Sequence, residues 1–190
     1  MTPELDQTTY KQMLQHTIAW RIAELNLHVL SKTSGIVQAG PFRKMLLTNE
    51  VIWGTGDIAA KLLGTYEQEL HGAIECAIGR MPDVVYNVGA AEGYYAIGFA
   101  QRLPDALVIA IDTNPAAQEI MSRAASANRV AIISQPVFDS EILACLSARE
   151  HGLIFMDTEG AEAELLNAET VTKLGNCDVI IECHEHVHQD

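Results

Sequence analysis

The chain has 190 residues, 48% of them hydrophobic, and carries a formal charge of -13 from 12 basic and 25 acidic side chains. That length and apolar content suffice for one substantial buried core and exclude a disordered chain. The acidic balance, with no Lys/Arg cluster to offset it, opposes a polyphosphate backbone; the expected partner is a small molecule or a protein rather than nucleic acid.

The N-terminus, Met1 to Tyr10, contains acids and no signal-peptide pattern, and no apolar run reaches bilayer length. A cytoplasmic protein with no membrane partner is expected. Cys76, Cys145, Cys177 and Cys183 lack C-x-x-C spacing, so they read as reduced, mostly packed thiols rather than zinc ligands or a dithiol pair.

From Glu4 to Leu30, the residues Tyr10, Leu14, Ile18, Ile22, Leu25 and Val29 recur at steps of three or four and predict a long amphipathic helix packed on the domain or on a dimer partner. Between Ser34 and Thr55, glycines and Pro41 surround the apolar runs 45–47 and 51–53, the pattern of a small hairpin. These elements form an N-terminal extension, residues 1–56, ahead of an α/β domain, residues 57–190. Leu62, Leu63, Tyr66, Leu70, Ile74 and Ala77 then predict helix over 58–78, with a break near Gly64.

After Pro82 the apolar runs shorten and alternate with helical stretches: 84–88, 107–111, 130–133, 153–156 and 179–181. Runs apolar on both faces are what parallel strands covered by helices require. Pro104 closes one intervening helix, and Asn114 with Pro115 opens the next as cap and first-turn residue. This is the signature of an open Rossmann-like sheet, whose ligands sit beyond the carboxyl ends of the strands.

The first of these strands runs through Asn87 into Gly89-Ala90-Ala91-Glu92-Gly93. Small residues there let a ligand lie against the main chain, but the spacing is G-x-x-x-G, and Ala91 stands where a dinucleotide fingerprint has its second glycine, which disfavours NAD. Asp112 ends the next strand, where a carboxylate can accept both hydroxyl hydrogens of an adenosine ribose. Glycine turns and later acids also serve structural purposes alone, so these two features leave both readings open.

Four stretches resemble the FkbM-type methyltransferases: Val85 to Tyr95, Ala110-Ile111-Asp112, Phe155-Met156-Asp157-Thr158-Glu159-Gly160-Ala161-Glu162, and Ile180 to His184, preceded by Lys61 to Glu67. The resemblance covers roughly residues 40–184, and its most specific piece is Asp157-x-Glu159-Gly160-Ala161-Glu162. It implies an α/β class I methyltransferase fold: a parallel sheet with helices on both faces, the C-terminal strands missing and a helical extension at the N-terminus. It implies S-adenosyl-L-methionine as cofactor, with Asn87, Gly89, Ala90, Glu92, Gly93, Asp112, Asp157 and Tyr66 as binding residues. Asn87 departs from the acid many class I methyltransferases carry at that point, and brings an amide but no charge to the donor's ammonium. The implied reaction is O-methylation of a small-molecule or sugar-like hydroxyl.

Such a displacement depends mainly on positioning, and a hydroxyl acceptor needs a base as the new bond forms. His184, Glu159 and Glu182 are the candidates, His184 first. The plainer role of Glu159 and Glu162 is to sit at the positive end of a helix reaching Asn167. Glu182, His184, His186 and His188 alternate, and with Asp157 offer mixed ligands suited to zinc, manganese or iron; against this divalent-metal reading, a polar chain terminus is more often solvated.

The chain ends just after the fifth apolar run, which would leave 179–181 as an open edge; a shortened chain, a second copy in a homo-oligomer or cover by the N-terminal helix is expected. Two other functions compete: an NAD-linked oxidoreductase, for which no Tyr-x-x-x-Lys pair is present, and a non-catalytic, degenerate methyltransferase acting as an interaction module.

Overall fold

The structure, a computed structural model, describes residues 7–48, 50, 56–139, 142, 151–175 and 177–184. Five strands, β1 (Val84–Val88), β2 (Leu107–Ile111), β3 (Ile133–Gln135), β4 (Gly152–Met156) and β5 (Cys177–Ile181), form one sheet in the order β3-β2-β1-β4-β5. Every pairing is parallel. The chain winds outward from β1 to β3, then restarts at β4 on the other side of β1. The order therefore reverses between β1 and β4, where an open α/β sheet leaves a crevice. The Rossmann-like parallel sheet read from the apolar runs is the observed architecture.

The two faces of the sheet have separate cores, because successive side chains in a strand point to opposite sides. Val85, Val108, Ala110, Leu153 and Phe155 pack under α3 (His71–Gly79), α4 (Tyr94–Arg102) and α5 (Pro115–Asn128), through residues such as Ile74, Phe99 and Met121. Val84, Tyr86, Val88, Ile109, Ile111, Ile154 and Met156 pack on the other face against Leu165, Leu166 and Leu174, in and beside α6 (Glu162–Leu165) and α7 (Ala168–Lys173). β1 and β4 are buried along their whole length. The third strand lies a few residues later than its apolar run, at 133–135, with Ile133 42% exposed. On the opposite edge Val179 is 38% exposed, so neither outer strand is covered on both faces as the inner ones are.

The region before the sheet differs more from expectation. The chain does break at Gly64, whose left-handed φ of 74° ends α2 (Ile58–Leu63) before a 3₁₀ turn at Gln68–Leu70. The hairpin pairs different partners from those its apolar runs suggested: Ile36 bridges Leu46 antiparallel, and Val37 and Leu47 donate to Met45 and Gly35 carbonyls. Residues 51–53 lie outside the described residues. Phe42, carried on this turn, inserts over Gly98 of α4, where an added Cβ would sit 2.4 Å from its ring.

Helix α1 (Gln7–Thr33) forms where its periodicity placed it, but its apolar stripe is not packed as that stripe implied. Leu14, Ile18 and Leu25 are exposed, whereas Val29 and Asn26 near the C-terminal end are buried. That end packs on α2, with Asn26 Oδ1 accepting the Ala59 N–H at 3.0 Å, rather than along β5 as a cover for the sheet edge. The thiols also differ from packed ones: Cys76 and Cys183 are exposed and Cys177 is half-buried, all three free, while Cys145 lies outside the described residues. Among the described residues no helix is long and apolar enough to cross a membrane.

Asn128 at the end of α5 fastens the Phe42 turn to the domain. Its Oδ1 accepts the Leu46 N–H at 2.8 Å and its Nδ2 donates to the Leu46 carbonyl at 2.8 Å. Asn128→Ala strands both main-chain groups, a cost of roughly 1–3 kcal/mol. Urea unfolding should therefore show a lower midpoint with an unchanged slope; an unmoved midpoint would show that this clamp contributes nothing.

Candidate functional site

The crevice is built from the ends of β1, β2 and β4. After Val88 the chain turns sharply: Gly89 takes φ 77°, and both the Gly89 and Ala90 N–H groups donate to the Ile111 carbonyl at 2.9 Å. The Asp157 N–H donates to the Val88 carbonyl at 2.9 Å, so the turn is pinned to both neighbouring strands. A Cβ at Gly89 would stand 1.6 Å from the Asp157 carbonyl oxygen. The bareness of Gly89 is thus required first by β4 and only then by any ligand. Gly93, φ 89°, caps α4, and a Cβ there would meet Met121 at 2.7 Å.

Asp112 ties the second strand end to this turn. Its Oδ2 accepts the Ala91 N–H at 2.7 Å and its Oδ1 the Asn114 N–H at 2.8 Å. Each oxygen keeps a lone pair free for a further donor. Asn114 Oδ1 accepts the Ala116 N–H at 3.0 Å, so Asn114 and Pro115 do open α5 as cap and first residue.

Gly89, Ala91, Asp112 and Asp157 line one cavity of about 360 Å³, together with the apolar Val137, Phe138 and Leu165. A pocket of this size with apolar walls and few polar groups suits a nucleoside-sized ligand. Thr158 and Glu159 also line it. Asn87 and Ala90 are buried in β1 and in the turn, and Asn87 Oδ1 has no hydrogen-bond partner among the described residues. Glu92 and Tyr66 lie outside this cavity. Glu92 lines a smaller one with Lys61 and Tyr94, and Tyr66 packs edge-on against Tyr94 at 5.7 Å with the Lys61 ammonium 4.6 Å over its ring.

Beyond the ends of β4 and β5 a second group gathers around His184. Its Nε2 lies 3.4 Å from Glu159 Oε2, 3.8 Å from Glu182 Oε1 and 3.9 Å from Asp157 Oδ1. Its Nδ1 lies 3.1 Å from Glu162 Oε1. All three residues put forward as bases are therefore brought together, with Asp157 beside them. His186 and His188 lie outside the described residues, and the strand itself ends at Ile181.

Glu162 does more than sit at a helix start. Its Oε1 accepts the Thr158 N–H and hydroxyl, both at 2.9 Å, and the Gly160 N–H at 3.2 Å. Burial alone would raise its pKa, but the hydrogen bonds from Gly160 and Thr158 outweigh it and hold the carboxyl down to about 2. The hydrogen bond to Glu162 in turn raises the pKa of His184. Asp157 is pushed up to about 6, first by burial and then by the charges of Glu182 and Glu159.

Glu67 completes the group and was not marked out by its sequence position. It adopts φ 44° and accepts a hydrogen bond from the Tyr95 hydroxyl. Tyr95 stacks on Phe155 with centroids 4.0 Å apart. Burial and then Glu67 raise the pKa of both Tyr66 and Tyr95, and burial carries Tyr94 to about 12. The resemblance at Lys61 to Glu67 was the one signal that pointed toward this segment. Nothing local marked Val137, Phe138 or Leu165.

No protein-family model and no curated protein matches the sequence. Among solved structures, a hypothetical protein from Thermus thermophilus is similar over 77% of this chain and 84% of its own, with a TM-score of 0.50 and 10% identity; that likeness is one of fold. The O-methyltransferase TomG from Streptomyces achromogenes, solved in complex with SAM, is similar over 56% of this chain and 50% of its own, with a TM-score of 0.45 and 17% identity. A precorrin-6y C5,15-methyltransferase from Geobacter metallireducens is similar over 58% of this chain and 62% of its own, with a TM-score of 0.42 and 13% identity. The chain thus spans half to three-fifths of the length of these two enzymes.

Gly89→Ala is expected to destabilise the fold by on the order of 3 kcal/mol, since it adds both a left-handed alanine and an overlap with the β4 backbone. Thermal unfolding measures this. A shift no larger than that of a surface alanine would show that the two strand ends do not meet as described.

Proposed function

We propose that the chain is an S-adenosylmethionine-dependent methyltransferase acting on the hydroxyl of a small-molecule or sugar-like acceptor. The observation that carries this reading is the convergence of Asp112 and the Gly89 turn on one cavity of about 360 Å³. The residues present fit the nucleoside. Val137, Phe138 and Leu165 give its base an apolar slot, and the free lone pairs of Asp112 accept the ribose hydroxyls. Asn87, buried in β1, does not line this cavity, so it contributes nothing to this fit. When bound, the cofactor supplies a methyl carbon already activated by its sulfonium.

The protein's share of the work is positioning and proton removal. The turn from Gly89 to Gly93 is fixed by Ile111 and Asp112, so the main chain that would face the methionyl portion needs no rearrangement. The carboxylates of Asp157, Glu159 and Glu182, with His184 between them, stand at the adjacent strand ends, and the acceptor's proton passes to this group. Glu92 and Tyr66 lie outside this cavity, and a part for them in holding the cofactor rests on the family resemblance. The FkbM-like motifs Asp157-x-Glu159-Gly160-Ala161-Glu162 and Ile180 to His184 supply most of this acid cluster, which supports an assignment within that subfamily.

Calorimetric titration with S-adenosylhomocysteine should show saturable one-site binding, and Asp112→Ala should weaken it at least about tenfold, the loss of one or two hydrogen bonds to a charged group. Absence of binding, or tight binding of NAD in its place, would overturn the assignment.

A further inference from the structure

We propose that Asp157, Glu159 and His184 form a binding site for one divalent first-row metal ion, with Glu182 at its rim and Glu162 orienting the imidazole. One ligand atom from each of the first three lies within 4.8 Å of the other two. The separations also suit coordination. With metal–nitrogen and metal–oxygen bonds of about 2.0–2.2 Å, neighbouring ligands in a tetrahedral shell stand about 3.4 Å apart. His184 Nε2 is 3.4 Å from Glu159 Oε2 and 3.9 Å from Asp157 Oδ1.

The imidazole is held as a ligand would be. Glu162 is 8% exposed at its side chain, keeps its charge through the Thr158 and Gly160 hydrogen bonds, and accepts from Nδ1 at 3.1 Å. With Nδ1 turned to Glu162, Nε2 faces the carboxylates of Glu159, Glu182 and Asp157. A metal-bound histidine has this arrangement, with its far nitrogen donating to a carboxylate that fixes tautomer and ring angle. Three carboxylates gathered around one imidazole nitrogen repel one another, and a cation between them removes the repulsion.

Asp157 adds a separate indication. Its Oδ1 is buried without a hydrogen-bond partner among the described residues. Among the described residues His184 is the only ion-pair partner of Asp157, Glu159 and Glu182. Mixed imidazole and carboxylate ligands favour manganese, iron or zinc over calcium. The metal argument uses only ligand geometry and so stands apart from the nucleoside reading, although Asp157 and Glu159 also line the cavity proposed for the nucleoside.

The test is a titration of the full chain with Mn²⁺, following the loss of the free-ion electron paramagnetic resonance signal, with Ca²⁺ as competitor. One ion per chain should bind, and excess Ca²⁺ should not displace it. Asp157→Asn and His184→Ala should each weaken binding at least tenfold, and Glu162→Gln roughly 10- to 100-fold through the imidazole. Because Glu162 is buried, its variant is compared by circular dichroism; Glu159→Gln, at a side chain 74% exposed, gives a tenfold loss without a risk to folding. No binding at millimolar Mn²⁺, or affinity unchanged in Asp157→Asn and Glu159→Gln, would overturn the proposal. Nucleoside binding measured in the same samples reports on the proposed activity separately.

Discussion

The site exists because β1 and β4 come within contact of each other's main chain just as both leave the sheet. Gly89 must lack a side chain for the Asp157 carbonyl to lie where it does, and the Val88 carbonyl receives the Asp157 N–H in return. That contact sets the floor of the crevice at the point where the strand order reverses, the position at which open α/β sheets bind ligands. Everything else in the site is placed relative to it: Asp112 by way of the turn that begins at Gly89, and the His184 group by way of the chain that continues from Asp157.

The crevice has two chemically different halves, one toward each edge of the sheet. Toward β2 and β3 the cavity is walled by Val137, Phe138 and Leu165, with Asp112 as a polar fixture. Toward β5 it gives way to Asp157, Glu159, Glu182 and His184. The first half is suited to holding a flat base and a sugar, and the second to managing charge. A net charge of -13 would work against an anionic ligand anywhere on the molecule, and the concentration of acids at the second half makes a neutral or cationic occupant the one it fits.

Much of this was legible in sequence, and the division between what was and was not has a physical cause. The parallel sheet showed itself because buried strands must be apolar on both faces, and β1, β2 and β4 obey. Gly89 and Asp112 stood out because backbone demands at strand ends restrict residue type over short, fixed spacings. The outer strands were blurred: β3 and β5 are half-exposed, so their apolar runs did not mark their ends. Glu67 was invisible as a member of the acid group since only the tertiary fold brings the α2–α3 connection to the end of β4. Glu162 was read through its neighbourhood in a helix, when its hydrogen bonds reach back to Thr158 and across to His184. The stripe on α1 had the right period but among the described residues is covered only near its C-terminal end, because periodicity reports which face is apolar and not what covers it.

The loops that bound the crevice are secured by the same device used twice. Ala91 and Glu159 both take left-handed backbone conformations, φ 47° and 56°, each of which costs a non-glycine residue on the order of 1 kcal/mol or more. Each is held there by a carboxylate. Asp112 accepts the N–H of Ala91 itself and that of Asn114; Glu162 accepts the N–H groups of Thr158 and Gly160 on either side of Glu159. A carboxylate accepting several main-chain donors is a strong, charge-assisted anchor, and it offsets the strain only while it stays ionised and correctly placed. Each of the two braces a turn and also faces the crevice: Asp112 lines the cavity, and Glu162 meets the His184 imidazole. Loops shaped in this way need not reorganise when a ligand arrives, which is the condition for a site whose contribution is positioning.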